Sequence, residues 1–358
     1  MTRERSGAGQ PAPSRTAERS GAGQPAPSRT AERSARIPLG TRDVLPEEMR
    51  EIRAISSRMR QTFEQGGYGE VHTPALEYED VLRRGDARAA GARYRTFDEQ
   101  GDVLALRSDM TIPIARVVAT RYADAEVPLR FCYFAHAWRA VERGVGEPRE
   151  FLQGGLELIG AGAPQAEAEV VALTIAALDE AGLRRHRVGV GDGSLYAGLL
   201  RSLGVPEEGH LPLLECLSRR DLVALDMHVR ALGGIGESER DLLLRLPELR
   251  GGREVLERAD GMPAEWTKAV EGLRALHELL AERGVADRVI FDLGLVRELG
   301  YYTGAVFEVY DPAVGFALGG GGRYDDLLGR FGRDLPACGV ALDIQRVHMA
   351  QAAEEALG

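Results

Sequence analysis

The chain has 358 residues, with Lys+Arg 45 against Asp+Glu 55 and a formal net charge of −10. That length allows about two domains and a sizeable buried core, and 28% charged with 44% hydrophobic residues is ordinary for a soluble globular chain. The acidic balance argues against a general nucleic-acid binder, which normally carries a basic face, and the single lysine, Lys268, removes P-loop and Schiff-base chemistry.

The chain opens on a repeat. Glu4–Ala17 reads ERSGAGQPAPSRTA, the same 14 residues recur over Glu18–Ala31, and a third copy begins and stops. Gly, Pro, Ala and Ser dominate it and no aromatic residue is present, so residues 1–36 are expected to be a disordered tail.

Order is expected from about Ile37. Apolar spacing at Met49, Ile52, Ile55, Met59 and Phe63 predicts a helix over Pro46–Gln65, with proline at its start and Gly66-Gly67 at its end. Strands are expected at Gly69–His72, Tyr94–Phe97 and Val103–Arg107, the last two joined as a hairpin by Asp98–Asp102. Leu129–His136 and Phe151–Ile159 read as strands around a polar, glycine-bearing loop, Arg139–Arg149. A helix over Gln165–Ala181 and a strand over Arg187–Gly191 complete a first core segment, 37–193.

From Ser194 to about Arg283 the texture becomes Leu-rich and helical, which predicts an inserted helical subdomain over 194–284. Strand texture returns at Arg288–Leu293, Thr303–Tyr310 and Ala313–Gly320. A short helix around Tyr324–Phe331, a strand at Ala337–Leu342 and a last helix at Ile344–Leu357 end a second core segment, 285–358. Runs of antiparallel-looking strands with helices segregated between them give an α+β class.

Other chemistry is narrowed by counts and spacing. Cys132, Cys216 and Cys338 form neither a disulfide framework nor a zinc cluster, and the seven histidines pair at no ligand spacing, so no metal or other cofactor is expected. No apolar run approaches the roughly 20 residues that span a bilayer. The N-terminus has no apolar signal core, so the expected compartment is the cytoplasm.

Four clusters carry chemistry: Leu106–Thr111, Trp138–Glu157, Leu295–Gly304, and Gly319–Asp325 with Gly339–Arg346. On the strand Phe151–Ile159, Gln153, Gly155 and Glu157 share one face by period two, which makes a poor core and a good pocket floor. Each cluster has a plainer reading on its own: a solvated sheet face, a tight turn or bulge at the glycines, a surface arginine beside core tyrosines.

In their order and spacing these segments resemble the catalytic core of histidyl-tRNA synthetase. Gly40–Pro46 looks like that family's opening, Arg107–Thr111 its R-P-E-G-T segment, and Arg297–Thr303 its R-G-L-D-Y-Y-T motif. Arg139–Glu157 and Gly339–Arg346 resemble class II motifs 2 and 3. The resemblance implies a class II aminoacyl-tRNA synthetase-like core: a mostly antiparallel sheet flanked by helices, with the helical insertion. It also implies a histidine pocket. Asp109, Thr111 and Gln153 would hold the ammonium, Glu157 and Tyr302 the imidazole, and Arg297 would face the carboxylate, with Tyr301 and Tyr324 beside them.

The nucleotide side departs from the family pattern. R-x-E becomes Arg139-Ala-Val-Glu142, Glu147 stands where a loop arginine is expected, and Gln345 replaces the glutamate before Arg346. Arg139, Arg149 and Arg346 remain as a residual nucleotide site. The chain also stops about one helix after motif 3, so no anticodon-binding domain is expected. A kept histidine side beside a damaged nucleotide side matches a paralogue of the synthetase, the regulatory subunit of ATP phosphoribosyltransferase. That family implies a non-catalytic chain with the short-form catalytic subunit as partner. It implies histidine as feedback ligand in the first step of histidine biosynthesis, and a homodimer within a hetero-octamer. The alternatives are a truncated synthetase-like enzyme that forms histidyl-adenylate, and a tRNA-binding or structural paralogue with no histidine affinity.

Overall fold

In a computed structural model of the chain, the described residues are 36–86, 93–140, 148–258, 264–297 and 301–357. The repeat tail, apart from Arg36, lies outside them, as do the loop 141–147 and residues 298–300.

Helix α1 runs over Pro46–Gln65. Proline suits its first turn, where the missing N–H has no helical acceptor, and Glu47 and Glu48 complement the positive end of the dipole. Gly67 adopts φ +84° just past its end, and the Tyr68 N–H returns to the Phe63 carbonyl at 3.0 Å. The predicted stripe is the buried one: Ile52, Ile55, Met59 and Phe63.

The chain continues through β1 (Gly69–Glu70), β2 (Leu76–Tyr78), α2 (Glu79–Gly85), β3 (Arg95–Phe97) and β4 (Val103–Leu106). Then come α3 (Thr111–Arg121), β5 (Leu129–Trp138), β6 (Glu150–Ile159), α4 (Gln165–Glu180) and β7 (Arg187–Asp192). The Leu-rich stretch folds as α5 (Ser194–Ser202), α6 (Glu207–Ser218), α7 (Leu222–Ala231), α8 (Glu237–Arg245), a two-residue strand β8 (Arg250–Gly251), α9 (Glu254–Glu257) and α10 (Ala264–Glu282). The last part is β9 (Val289–Asp292), β10 (Ala305–Tyr310), β11 (Ala317–Arg323), α11 (Asp325–Gly329), β12 (Ala337–Asp343) and α12 (Ile344–Leu357).

Nine strands form one sheet in the order β1-β5-β6-β12-β11-β10-β7-β9-β8. Only the β1–β5 and β7–β9 pairs are parallel, so the expected mostly antiparallel sheet is found. The predicted hairpin is β3–β4, which with β2 makes a separate three-stranded sheet. Helices α1, α4 and α12 lie against the large sheet. Strand alternation decides what they meet. Leu156 and Leu158 of β6 and Val340 and Leu342 of β12 enter the apolar cluster with Ile55, Phe63 and Ile175. Burying each of the two leucines of β6 contributes about 1.5–3 kcal/mol. The intervening residues of β6 and β12 are left to the opposite face. Tyr196, Leu217, Leu243 and Trp266, from the Leu-rich stretch, join the same cluster.

Two expectations are corrected. The strand expected over Ala313–Gly320 begins at Ala317 and runs through Gly319–Gly322 to Arg323, so the glycine run is sheet interior and not a turn, with a register shift against β10 at Leu318 just before it. Its backbone pairs on both sides, with β10 and with β12, and that pairing overrides glycine's weak strand propensity. The strand expected over Gly69–His72 shortens to Gly69–Glu70. Helices α2 and α3 and strand β2 were not legible as elements in the sequence.

Candidate functional site

The uncovered face of the sheet has a floor of small residues. Gln153, Gly155 and Glu157 on β6 stand across from Asp343, Ala341 and Gly339 on β12. Ala341 and Gly339 in turn face Gly320 and Gly322 on β11. Above this floor is a cavity of about 300 Å³. Every residue expected on the amino-acid side lines it: Asp109, Thr111, Gln153, Glu157, Arg297, Tyr301, Tyr302 and Tyr324. Arg139 and Arg346 line it as well.

Glu157 is the most buried polar group in the lining, at 1% exposure. Its Oε1 accepts from Thr111 Oγ1 at 2.8 Å and from the Tyr133 hydroxyl at 3.4 Å, and its Oε2 accepts from the Tyr324 hydroxyl. Burial pushes this carboxyl up to about 7; the bonds from Tyr324 and Thr111 pull it down, and the charge of Asp109 pushes it further up. Burial also raises Tyr302 to about 12, so it stays a donor. The rings of Tyr301 and Tyr302 lie 4.9 Å apart, and Tyr324 meets Tyr301 edge-on at 5.8 Å. Thr111, Tyr133 and Tyr324 are the hydroxyl groups that hold the Glu157 carboxyl in this structure.

Asp109 and Gln153 are tied to the start of α3. Asp109 Oδ1 accepts from the Ile112 N–H at 3.1 Å, and Gln153 Oε1 accepts from the Met110 N–H at 3.0 Å. Asp109 is 3% exposed, and burial raises its carboxyl above the usual range. Asp109 Oδ2 also accepts from Ser108 Oγ at 3.3 Å, and both side chains keep further acceptor capacity.

Arg297 lies over the glycine strand. A methyl group at Gly320 would come within 2.3 Å of its Nη1, so the glycine makes room for the guanidinium. Nη1 donates to the Phe307 carbonyl at 3.4 Å and is 3.7 Å from Glu308 Oε1, while Nε is buried with no partner among the described residues.

The residual nucleotide arginines divide. Arg139 Nε donates to the Ser108 carbonyl at 3.3 Å, and its guanidinium lies 5.1 Å from the centre of the Phe151 ring. Arg346 donates to the Ala317 carbonyl at 2.9 Å and stacks 5.5 Å from the Phe316 ring centre. Arg149 is not among the lining residues. Its N–H donates to the Gly40 carbonyl at 2.7 Å, its carbonyl accepts from Arg139 N–H at 2.9 Å, and its side-chain carbons pack on Gly40. Its backbone thus ties Arg139 to the segment at Gly40. Glu142 and Glu147 lie outside the described residues. Gln345 Oε1 accepts from the Leu152 N–H at 2.8 Å, so it closes the end of α12 onto β6.

Sequence reasoning missed Tyr133, Glu308 and Asp343. The signal that finds the first two is strand register: Tyr133 stands opposite Gly155, and Glu308 opposite Gly320. Among the described residues no group of three His, Cys, Asp or Glu side chains is placed to hold a metal, and no helix is long and apolar enough to cross a membrane. The three cysteines are buried and free.

The model of the family described as histidyl-tRNA synthetase matches residues 40–347. The ATP phosphoribosyltransferase regulatory subunit of Symbiobacterium thermophilum is 43% identical over 325 residues, covering 90% of this chain and 81% of that relative. A crystal structure from Bacillus halodurans C, described as an ATP phosphoribosyltransferase regulatory subunit/histidyl-tRNA synthetase, superposes with TM-score 0.82 at 37% identity, covering 88% of this chain and 83% of that one. A histidine–tRNA ligase subunit from Alicyclobacillus acidocaldarius gives TM-score 0.76 at 32% identity, covering 90% and 98%. With its class II sheet and these relatives along about nine-tenths of its length, the chain belongs to the histidyl-tRNA synthetase-like family and, within it, to the ATP phosphoribosyltransferase regulatory subunits.

Proposed function

We propose that this regulatory subunit binds histidine in the cavity on β6, β11 and β12 and has no catalytic activity alone. It is required by the short catalytic subunit, and it transmits histidine feedback inhibition in the first step of histidine biosynthesis. The assembly is a homodimer within a hetero-octamer, in the cytoplasm. The observation that carries this reading is a cavity lined by two buried carboxyls, Asp109 and Glu157, together with the guanidinium of Arg297. A free amino acid with a basic side chain offers an ammonium and an imidazole to the carboxyls and a carboxylate to the arginine. In this reading Asp109, Thr111 and Gln153 take the ammonium, Glu157 and Tyr302 the imidazole, and Arg297 the carboxylate. Tyr301 and Tyr324 wall the site.

Feedback then needs histidine to favour the less active state of the complex. A tenfold preference corresponds to about 1.4 kcal/mol, within the usual range of coupling. Titration calorimetry tests the pocket. Glu157→Ala is expected to weaken histidine binding by about 1.5–3 kcal/mol, the worth of a charge-assisted hydrogen bond. Equal affinity in the variant would overturn the assignment of the pocket.

The second reading, a histidyl-adenylate-forming enzyme, draws on Arg139 and Arg346, which line the same cavity. Histidine-dependent exchange of pyrophosphate into ATP separates the two. The regulatory reading expects none.

A further inference from the structure

Arg220 is the one non-glycine residue with left-handed backbone among the described residues, at φ 54°. It sits in the turn between α6 and α7. Its N–H donates to the Leu217 carbonyl at 3.0 Å, and the next residue, Asp221, donates to the Cys216 carbonyl at 2.8 Å and caps α7 through Ala224 N–H at 2.9 Å. Left-handed backbone is unfavourable for a residue with a Cβ, so what the side chain reaches has to offset it. The Arg220 guanidinium lies 2.6 Å from Asp292 Oδ2 at the end of β9 and 3.9 Å from Glu308 Oε2 on β10. The other oxygen of Glu308 is 3.7 Å from Arg297 in the cavity. Ser218, the last residue of α6 before this turn, lines that cavity. Asp292 is 1% exposed and also accepts from Gly294 N–H at 3.1 Å, so it anchors Arg220. Glu308 is different: it stands between two arginines, one from the helical stretch and one from the cavity, at hydrogen-bond distance from neither.

We propose that Glu308 is the movable member of a charge relay, Arg297–Glu308–Arg220, through which a carboxylate bound in the cavity is felt by the turn Ser218–Asp221. The relay rests on the reading of Arg297 as the partner of the ligand carboxylate. A carboxylate arriving on Arg297 competes with Glu308 for that guanidinium and repels it. Arg220 is the nearest other cation, so the displaced Glu308 turns to it and draws the turn onto the mouth of the cavity. Linkage makes the effect reciprocal: anything that holds this turn against the sheet, a partner subunit included, raises affinity for the ligand.

The test is a double-mutant cycle on the full chain, with L-histidine affinity read by calorimetry. Glu308→Gln removes a competitor and is expected to raise affinity about threefold, the scale of a half-exposed ion pair. Arg220→Gln leaves Glu308 on Arg297 and is expected to lower affinity about threefold. In the Glu308→Gln background Arg220→Gln is expected to change nothing. Additive effects, or a Glu308→Gln variant that binds more weakly, overturn the relay. Should Arg220→Gln fail to fold, amide exchange of residues 216–222 decides. Protection there rises with histidine in the native chain and not in Glu308→Gln; equal protection in both overturns the relay. A chain that binds histidine and loses it with Glu157→Ala, yet shows additive relay variants, keeps the pocket and loses the relay. A chain that binds no histidine loses both.

Discussion

Gly339 on β12 stands directly across from Glu157 on β6, and a methyl group at Gly339 would lie 1.7 Å from Glu157 Oε2. The carboxylate occupies the volume that any larger residue would take. Gly339→Ala is therefore expected to turn Glu157 out of its bonds with Thr111 and Tyr324. It should weaken histidine binding at least tenfold and destabilise the fold by about 1–3 kcal/mol, the cost of overpacking. Calorimetry and urea unfolding read the two effects separately. An alanine variant with native affinity would mean that Glu157 does not hold the ligand.

Glu157 also sets a pH dependence. Its carboxyl is raised from the ordinary 4.5 to about 7, so the folded state prefers it protonated. Its stabilising contribution is fully present below pH 4.5 and is lost as pH rises through 7. The shift corresponds to about 3 kcal/mol. Burial raises Asp109 in the same direction. The ligand-free chain is expected to lose stability between pH 5 and pH 8 relative to Glu157→Gln, followed by urea melts across that window. Parallel pH profiles would show that Glu157 ionises at its ordinary value.

Arg323 follows the glycine run that looked like site chemistry, yet its guanidinium is spent on the fold. Its Nε and Nη2 donate to the two oxygens of Glu167 at 2.5 and 2.8 Å, with side-chain exposures of 6% and 3%, and Nη1 donates to Asp325 Oδ1 at 2.8 Å. Removing one partner strands a buried charge. Arg323→Met is expected to cost about 3–5 kcal/mol, and Arg323→Met with Glu167→Met to recover most of it. Urea unfolding of the two variants checks this; a single variant within about 1 kcal/mol of native would contradict it.

The elements legible in the sequence were those with local punctuation. Helix α1 starts at Pro46 and stops before Gly66-Gly67, and its ends agree to the residue, as do those of α12. Helix α3 lacked such marks: Thr-Ile-Pro-Ile-Ala-Arg-Val-Val is β-branched and carries Pro113. Its first turn is held by Asp109 and Gln153, and Ile112, Ile114 and Val118 are buried by tertiary packing. The site behaves the same way. Asp109, Gln153, Glu157 and Arg297 could be named from motifs because each lies in a distinctive run. Tyr133 and Glu308 could not, since only strand register brings them to Gly155 and Gly320.

The most direct test of the account is an ATP phosphoribosyltransferase assay of the short catalytic subunit from the same organism. It is run alone, with this chain, and with this chain plus histidine. The account predicts low activity alone, activity on mixing, and loss of that activity as histidine rises. Activity unchanged by mixing, with no complex on gel filtration, would contradict it.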